Sequence, residues 1–361
     1  MDAGLERIVA AETVLSDVDG LAGRLIIRGH EVGELAARAT FEEAIHLLWQ
    51  GFFADLPSQQ VFARRIGEAR VKVFHRLPRP SSELLGLGPV RILRVLLARL
   101  SDDESLECAL ELAAAPAVIT AWVMRARGQM PLNAPDPEQS HAADFLAMLL
   151  GHRPSEAEAR ALNSYLVTIC DHGLNASTFA ARVVASTRAG LGSAIIAGLS
   201  ALKGPLHGGA PGPVLDMLDA IGTAENATKW IEGALDRGER LMGFGHRVYR
   251  VRDPRADALK ATVAKLPREA GRLAFAEEIE RVSLKELAAR KPDRKLETNV
   301  EFYTALLLEA LEVPREAFTC VFAMGRVAGW IAHAKEQIAT GRIVRPQSAY
   351  VGPVPEETVP A

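Results

Sequence analysis

Cysteine is scarce: only Cys108, Cys170 and Cys320 occur in 361 residues. They lie far apart and in no ligand-like spacing, so neither a disulfide framework nor a zinc site is expected. Basic blocks are missing as well. The 42 Lys+Arg stand against 45 Asp+Glu, a net charge of −3, and without clustered positive charge a general nucleic-acid binder is not expected. Long hydrophobic runs are lacking too. The longest uncharged stretch, residues 189–202, is broken by glycines and serines and falls short of the roughly 18 to 20 apolar residues of a bilayer span, so no transmembrane helix is expected. The first residues carry Asp2 and Glu6 and no basic-then-apolar pattern. No signal or transit peptide is therefore expected, and the expected compartment is the cytoplasm. HExxH, G-x-S-x-G, a P-loop and a dinucleotide fingerprint are all absent, which leaves no motif for zinc-peptidase, serine-hydrolase or nucleotide chemistry.

What is present is an ordinary globular composition, 48% hydrophobic and 24% charged. At about 150 residues per domain the length points to roughly two domains. One strand signal stands out: residues 13–18 and 25–28, bridged by the turn-prone Asp19 and Gly20, predict a small N-terminal hairpin. The rest reads as helices, so the class is all-α. Thr40 with Glu43 and Ser155 with Glu158 have the capping-box spacing, and the first of these helices should stop at Gly51. Further helices are expected over residues 61–74, 106–125 with a break or kink at Pro116, 157–170, 178–189 and 315–340, the last with Pro314 at its start and Gly341 just past its end. Small residues cluster at Gly190, Gly192 and Gly198 and at Gly325, Ala328 and Gly329, where they would let backbones approach closely.

Of the nine histidines, His30, His46, His75, His141, His152 and His333 have no partner pattern and read as structural or solvent-facing. Three differ. His207 lies between glycines in residues 204–210 and His246 follows Gly243 and Gly245 in residues 243–250, and two such glycine-flanked loops suggest one site assembled from both. Taken singly, either could be a turn histidine. His172 lies in a polar stretch opening a helix, which reads equally as an anion-orienting terminus or as capping with an incidental histidine. No carboxylate neighbours His207 or His246 in sequence, so a metal is not expected. Arg255, Arg326 and Arg345 could clamp carboxylates bidentately if they converge.

Five segments in order, residues 171–187, 203–210, 243–255, 299–303 and 325–346, together resemble the citrate synthase family. The resemblance spans roughly residues 10–353. It implies a mostly helical homodimer with a large domain, residues 1–204 and 309–361, and a smaller mobile domain, residues 205–308, that closes over the substrates. It also implies condensation of acetyl-CoA with oxaloacetate and hydrolysis of the thioester to citrate and CoA, as in the tricarboxylic acid cycle, with no cofactor. On that resemblance Glu301 takes the methyl proton, His207 hydrogen-bonds the thioester oxygen and His246 polarises and protonates the oxaloacetate carbonyl. His172 assists binding, and Arg255, Arg326 and Arg345 hold carboxylates, with Arg345 reaching into the other subunit's site. Arg250 is the candidate for the CoA phosphates. Glu301 departs from the family's usual Asp, and Glu297-Thr298 replaces the usual Tyr-Pro. Two alternatives stand beside this reading: a 2-methylcitrate synthase using propionyl-CoA, and a non-catalytic paralogue binding CoA or a dicarboxylate.

Overall fold

The structure, a computed structural model, describes residues 8–207, 211–246, 248–266 and 270–353. The N-terminal hairpin forms as expected. Strand β1 (Ser16–Asp19) pairs antiparallel with β2 (Arg24–Ile27) in the register Val18 opposite Leu25, and a two-residue β3 (His30–Glu31) adds to the other edge of β2. Asp19 starts the turn, its carboxylate accepting from the backbone N–H groups of Leu21 and Ala22.

All the remaining elements among the described residues are helices. The first half holds α1 (Val32–Arg38), α2 (Phe41–Trp49), α3 (Gln59–His75), α4 (Ser82–Leu85), α5 (Pro89–Leu97), α6 (Leu106–Arg127), α7 (His141–Leu150) and α8 (Glu156–Ile169). Then come α9 (Ala176–Ala185), α10 (Leu191–Leu202), α11 (Pro211–Ile221), α12 (Ala227–Asp236) and α13 (Pro254–Val263). The chain ends with α14 (Ala270–Arg290), α15 (Val300–Ala310) and α16 (Phe318–Thr340), the last preceded by a 3₁₀ turn at Arg315–Ala317. Both expected capping boxes are formed: Thr40 and Glu43, like Ser155 and Glu158, satisfy each other's backbone amides. Gly51 ends the α2 region in a left-handed conformation, φ +83°.

One expected break does not form, and one expected helix is divided. Helix α6 is not broken at Pro116 but runs unbroken past it. Pro116 and its neighbours are fully buried, and packing on α3, α5, α7 and α16 holds the helix despite the missing amide. Residues 178–189 are not one helix. Helix α9 stops at Ala185, where the Ser186 and Thr187 hydroxyls donate back to the Val183 and Val184 carbonyls and Arg188 turns to φ +62°. The glycine-spaced stretch beyond it is the separate helix α10, whose small residues serve packing. A Cβ on Gly198 would lie 2.9 Å from the Trp330 ring of α16, so only glycine allows the two helices this close.

The core is organised around α16, which packs on α2, α5, α6, α8, α9 and α10. Leu106–Arg127 and Arg315–Thr340 are long and apolar enough to cross a membrane by length and composition, yet in each 94% of the most apolar window is buried inside the fold. They are apolar all round because they are surrounded by other helices. Residues of the second half carry α13 and α15, which pack together and both lean on α8. That seam positions the site.

Candidate active site

The loop before α9 carries His172. Gly173 turns the chain at φ +58°, and Asn175 caps α9 by accepting from the N–H groups of Ser177 and Thr178. The His172 Nε2 lies 3.1 Å from the Tyr249 hydroxyl, and its ring stands 5.6 Å from that of His246. Behind it Asp171 is buried, bonded to the Ser16 hydroxyl and to His333 on α16.

His246 sits on a loop stitched to the start of α15. Asn299 N–H donates to the Gly243 carbonyl (2.9 Å), Gly245 N–H donates to the Glu297 carbonyl (2.7 Å), and the Asn299 amide donates to the Gly245 carbonyl (2.8 Å). The His246 Nδ1 accepts from the N–H groups of Val248 and Tyr249, at 3.0 and 3.1 Å. The neutral ring therefore carries its proton on Nε2, the tautomer assigned from these bonds. That nitrogen lies 3.4 Å from Nη2 of Arg255, two donors facing one another with an acceptor called for between them.

Asp253 joins α13 to α15. It caps α13, grips the Arg255 guanidinium at Nε (3.0 Å) and Nη2 (2.8 Å), and accepts from Val300 N–H of α15 (3.2 Å). Glu301 follows in the first turn of α15, its N–H donating to the Asn299 side chain and its Oε2 buried with no hydrogen-bond partner among the described residues. Burial pushes its carboxyl up to about 7; Arg255 opposes this, Asp253 reinforces it and Arg326 opposes it. The buried Tyr165 of α8 feels this carboxylate as well.

His207 follows α10, its Nε2 2.9 Å from the Ser177 hydroxyl, which also accepts from the Trp330 indole N–H (3.2 Å). Burial, reinforced by Arg326 and Arg255, pushes His207 down to about 4, and burial with Arg255 does the same to His246. His172 is driven well below its usual value by the same causes. All three rings are neutral at pH 7. Arg326 on α16 is 1% exposed, has no ion pair among the described residues, and donates by Nε to the Ile169 carbonyl at 2.7 Å. Burial, with Arg255 adding to it against the pull of Asp171, lowers it to about 10, so it stays charged. A buried cation without a counter-ion is costly, and its natural complement is a carboxylate arriving with a ligand.

The structure thus brings His172, His207, His246, Arg255, Glu301 and Arg326 into one electrostatically coupled cluster. Arg250 lies exposed at its edge, close enough to act on His246. Arg345 is exposed on the extended segment after α16 and bonds to none of these groups within one chain. Gly208, Gly209 and Ala210, part of the His207 motif, lie outside the described residues, as does Arg247 of the His246 motif. Tyr249, Asp253, Ser177 and Trp330 belong to the site without having been singled out. Asp253, two residues before Arg255, carried a legible cap signal; the others gave none.

A family model described as the C-terminal domain of citrate synthase matches residues 4–347. A putative citrate synthase 2 of Mycobacterium tuberculosis is 39% identical over 98% of this chain and 93% of its own, and a citrate synthase of Haloferax volcanii is 37% identical over 97% and 95%. Among solved structures, citrate synthase from Thermotoga maritima superposes with a TM-score of 0.84 at 34% identity, covering 100% of this chain and 98% of the other. A ternary complex of the Thermoplasma acidophilum citrate synthase with carboxymethyl coenzyme A and oxaloacetate gives 0.86 at 29% identity, with the same coverage.

Proposed function

The chain belongs to the citrate synthase family, enzymes that condense acetyl-CoA with oxaloacetate, and from that premise we propose how its side chains divide the work. The observation that carries the assignment is the buried Arg326 guanidinium, without an ion pair among the described residues, in one cluster with Glu301, whose buried Oε2 has no hydrogen-bond partner among them, and three neutral imidazoles. Arg326 and Arg255 hold the oxaloacetate carboxylates, with His172 beside them. The carbonyl oxygen sits against Nε2–H of His246, in the gap between that nitrogen and Arg255.

Glu301 takes a proton from the acetyl methyl group while His207 donates a hydrogen bond to the thioester oxygen, where negative charge develops. The methylene carbon then bonds to the ketone carbon, and His246 gives its proton to the resulting alkoxide. Water cleaves the C–S bond, releasing the CoA thiol. Neutral imidazoles suit the donor role, since each offers an N–H without requiring an acidic pocket. Base, donors and anion clamps are all side chains, so the proposed reaction requires no cofactor. Arg250 at the rim meets the CoA phosphates, and Arg345 completes the clamp from a second copy of the chain in a homodimer. Residues 205–308 act as the smaller, mobile domain. They carry His207, His246, Arg255 and Glu301, and closing them onto His172 and Arg326 excludes water.

The test is thiol release from acetyl-CoA and from propionyl-CoA, each with oxaloacetate. The expected result is preferential turnover of acetyl-CoA, with Glu301→Gln lowering kcat by about 10²- to 10⁴-fold. A preference for propionyl-CoA would move the reading to 2-methylcitrate synthesis. Full activity of the glutamine variant would remove Glu301 from the role of base.

A further inference from the structure

The N-terminal hairpin touches both loops that carry the oxaloacetate-side histidines. On β1 the Ser16 hydroxyl donates to the Asp171 carboxylate and accepts from Gly173 N–H at 2.9 Å, bracketing His172 from both sides in sequence. At the turn, the Gly20 carbonyl accepts from Arg250 N–H at 2.8 Å. Gly20 is also packed so tightly on Val248 that an added Cβ would overlap the Val248 carbonyl oxygen. Val248 in turn donates its N–H to Nδ1 of His246. Gly23 continues the contact against Val251 and the Arg252 carbonyl. Among the described residues no hydrogen bond or ring contact joins the hairpin to His207 or Glu301.

We propose that this hairpin is a positioning element for the oxaloacetate half of the site, Ser16 seating the His172 loop and Gly20 seating the His246 loop. It touches no substrate. It acts by fixing two loops, from different parts of the chain, in the relative position that puts their imidazoles 5.6 Å apart. The inference rests on the functional reading above.

Gly20 offers a clean test because its φ is outside the left-handed region. Alanine can adopt this backbone conformation, so Gly20→Ala leaves the turn able to form and removes only the room against Val248. Gly33→Ala, in α1, has nothing within 4 Å of the new Cβ and serves as control. Gly20→Ala is expected to raise the oxaloacetate KM, and the oxaloacetate dissociation constant measured by calorimetry without acyl-CoA, by about tenfold, within the loss expected of a displacement near 1 Å. The acetyl-CoA KM should rise less, by about threefold, through Arg250, whose N–H the Gly20 carbonyl holds, since His207 and Glu301 are untouched. Unchanged oxaloacetate constants, or equal shifts for both substrates, would overturn the proposal. Should Gly20→Ala fail to fold, Ser16→Ala against Ser16→Thr decides. Weaker oxaloacetate binding in the alanine variant, restored by the threonine hydroxyl, supports it; no loss in alanine, or no rescue, overturns it. Absence of thiol release from the unmodified chain would instead refute the reading of the whole site.

Discussion

Glu301 and the histidines titrate in opposite senses, and this separates their contributions. The carboxyl is held up at about 7 from an ordinary 4.5, so the folded state keeps a proton that the unfolded state gives up. Its contribution to stability is intact below 4.5 and declines as pH rises towards 7. His207 and His246 are held down at about 4 from 6.5, so their contribution is intact above 6.5 and declines as pH falls towards 4. Glu301→Gln should therefore have the same melting temperature as the parent at pH 4 and a higher one at pH 8, read by thermal denaturation at both. With Glu301 as the proposed base, which must be ionised to act, kcat/KM for acetyl-CoA should rise through pH 7 and level off above it. Glu301→Asp retracts the carboxylate by one methylene while the stitched loop at Gly243, Gly245 and Asn299 stays in place. It should cost about 10²-fold in kcat, measured by thiol release.

At the scale of elements, local signals were legible where a short-range rule decided the outcome. Thr40, Ser155 and the residue 13–28 hairpin needed only their neighbours, and each formed as read. Thr40→Ala or Ser155→Ala should each lower unfolding free energy by about 1 kcal/mol, read by urea denaturation. Helix α10 was hidden because its glycines imitate a loop. Their reason lies on α16, far along the chain, where Trp330 fills the space a Cβ on Gly198 would take. Gly198→Ala should destabilise by about 1 to 3 kcal/mol despite its better helix propensity. The site shows the same divide. Its histidines and arginines stood out by glycine setting and by resemblance. Tyr249, Ser177 and Trp330 were silent, because a hydrogen bond between residues 177 and 207, or 172 and 249, exists only after folding.

For the whole molecule, Arg345 is exposed while Arg255 and Arg326, its partners in the proposed carboxylate clamp, are buried, and this makes subunit exchange informative. Glu301→Gln and Arg345→Ala chains, each nearly inactive alone, should regain about a quarter of the parent activity when refolded together one to one. In the proposed homodimer half the pairs are then mixed, and each mixed pair holds one intact site. No regain would place Arg345 in its own chain's site, and full activity of Arg345→Ala alone would place it in none. The arrangement of the two longest core helices also bears on biosynthesis. Helix α6 is finished by Arg127, but α16, which covers it, is complete only at Thr340. At ribosomal speeds of about 5 to 20 residues per second, that strongly apolar surface waits roughly 10 to 40 s for its cover. The growing polypeptide is thus a natural client for chaperones that shield greasy surfaces, and a chain truncated before Phe318 should accumulate as aggregate when expressed without them.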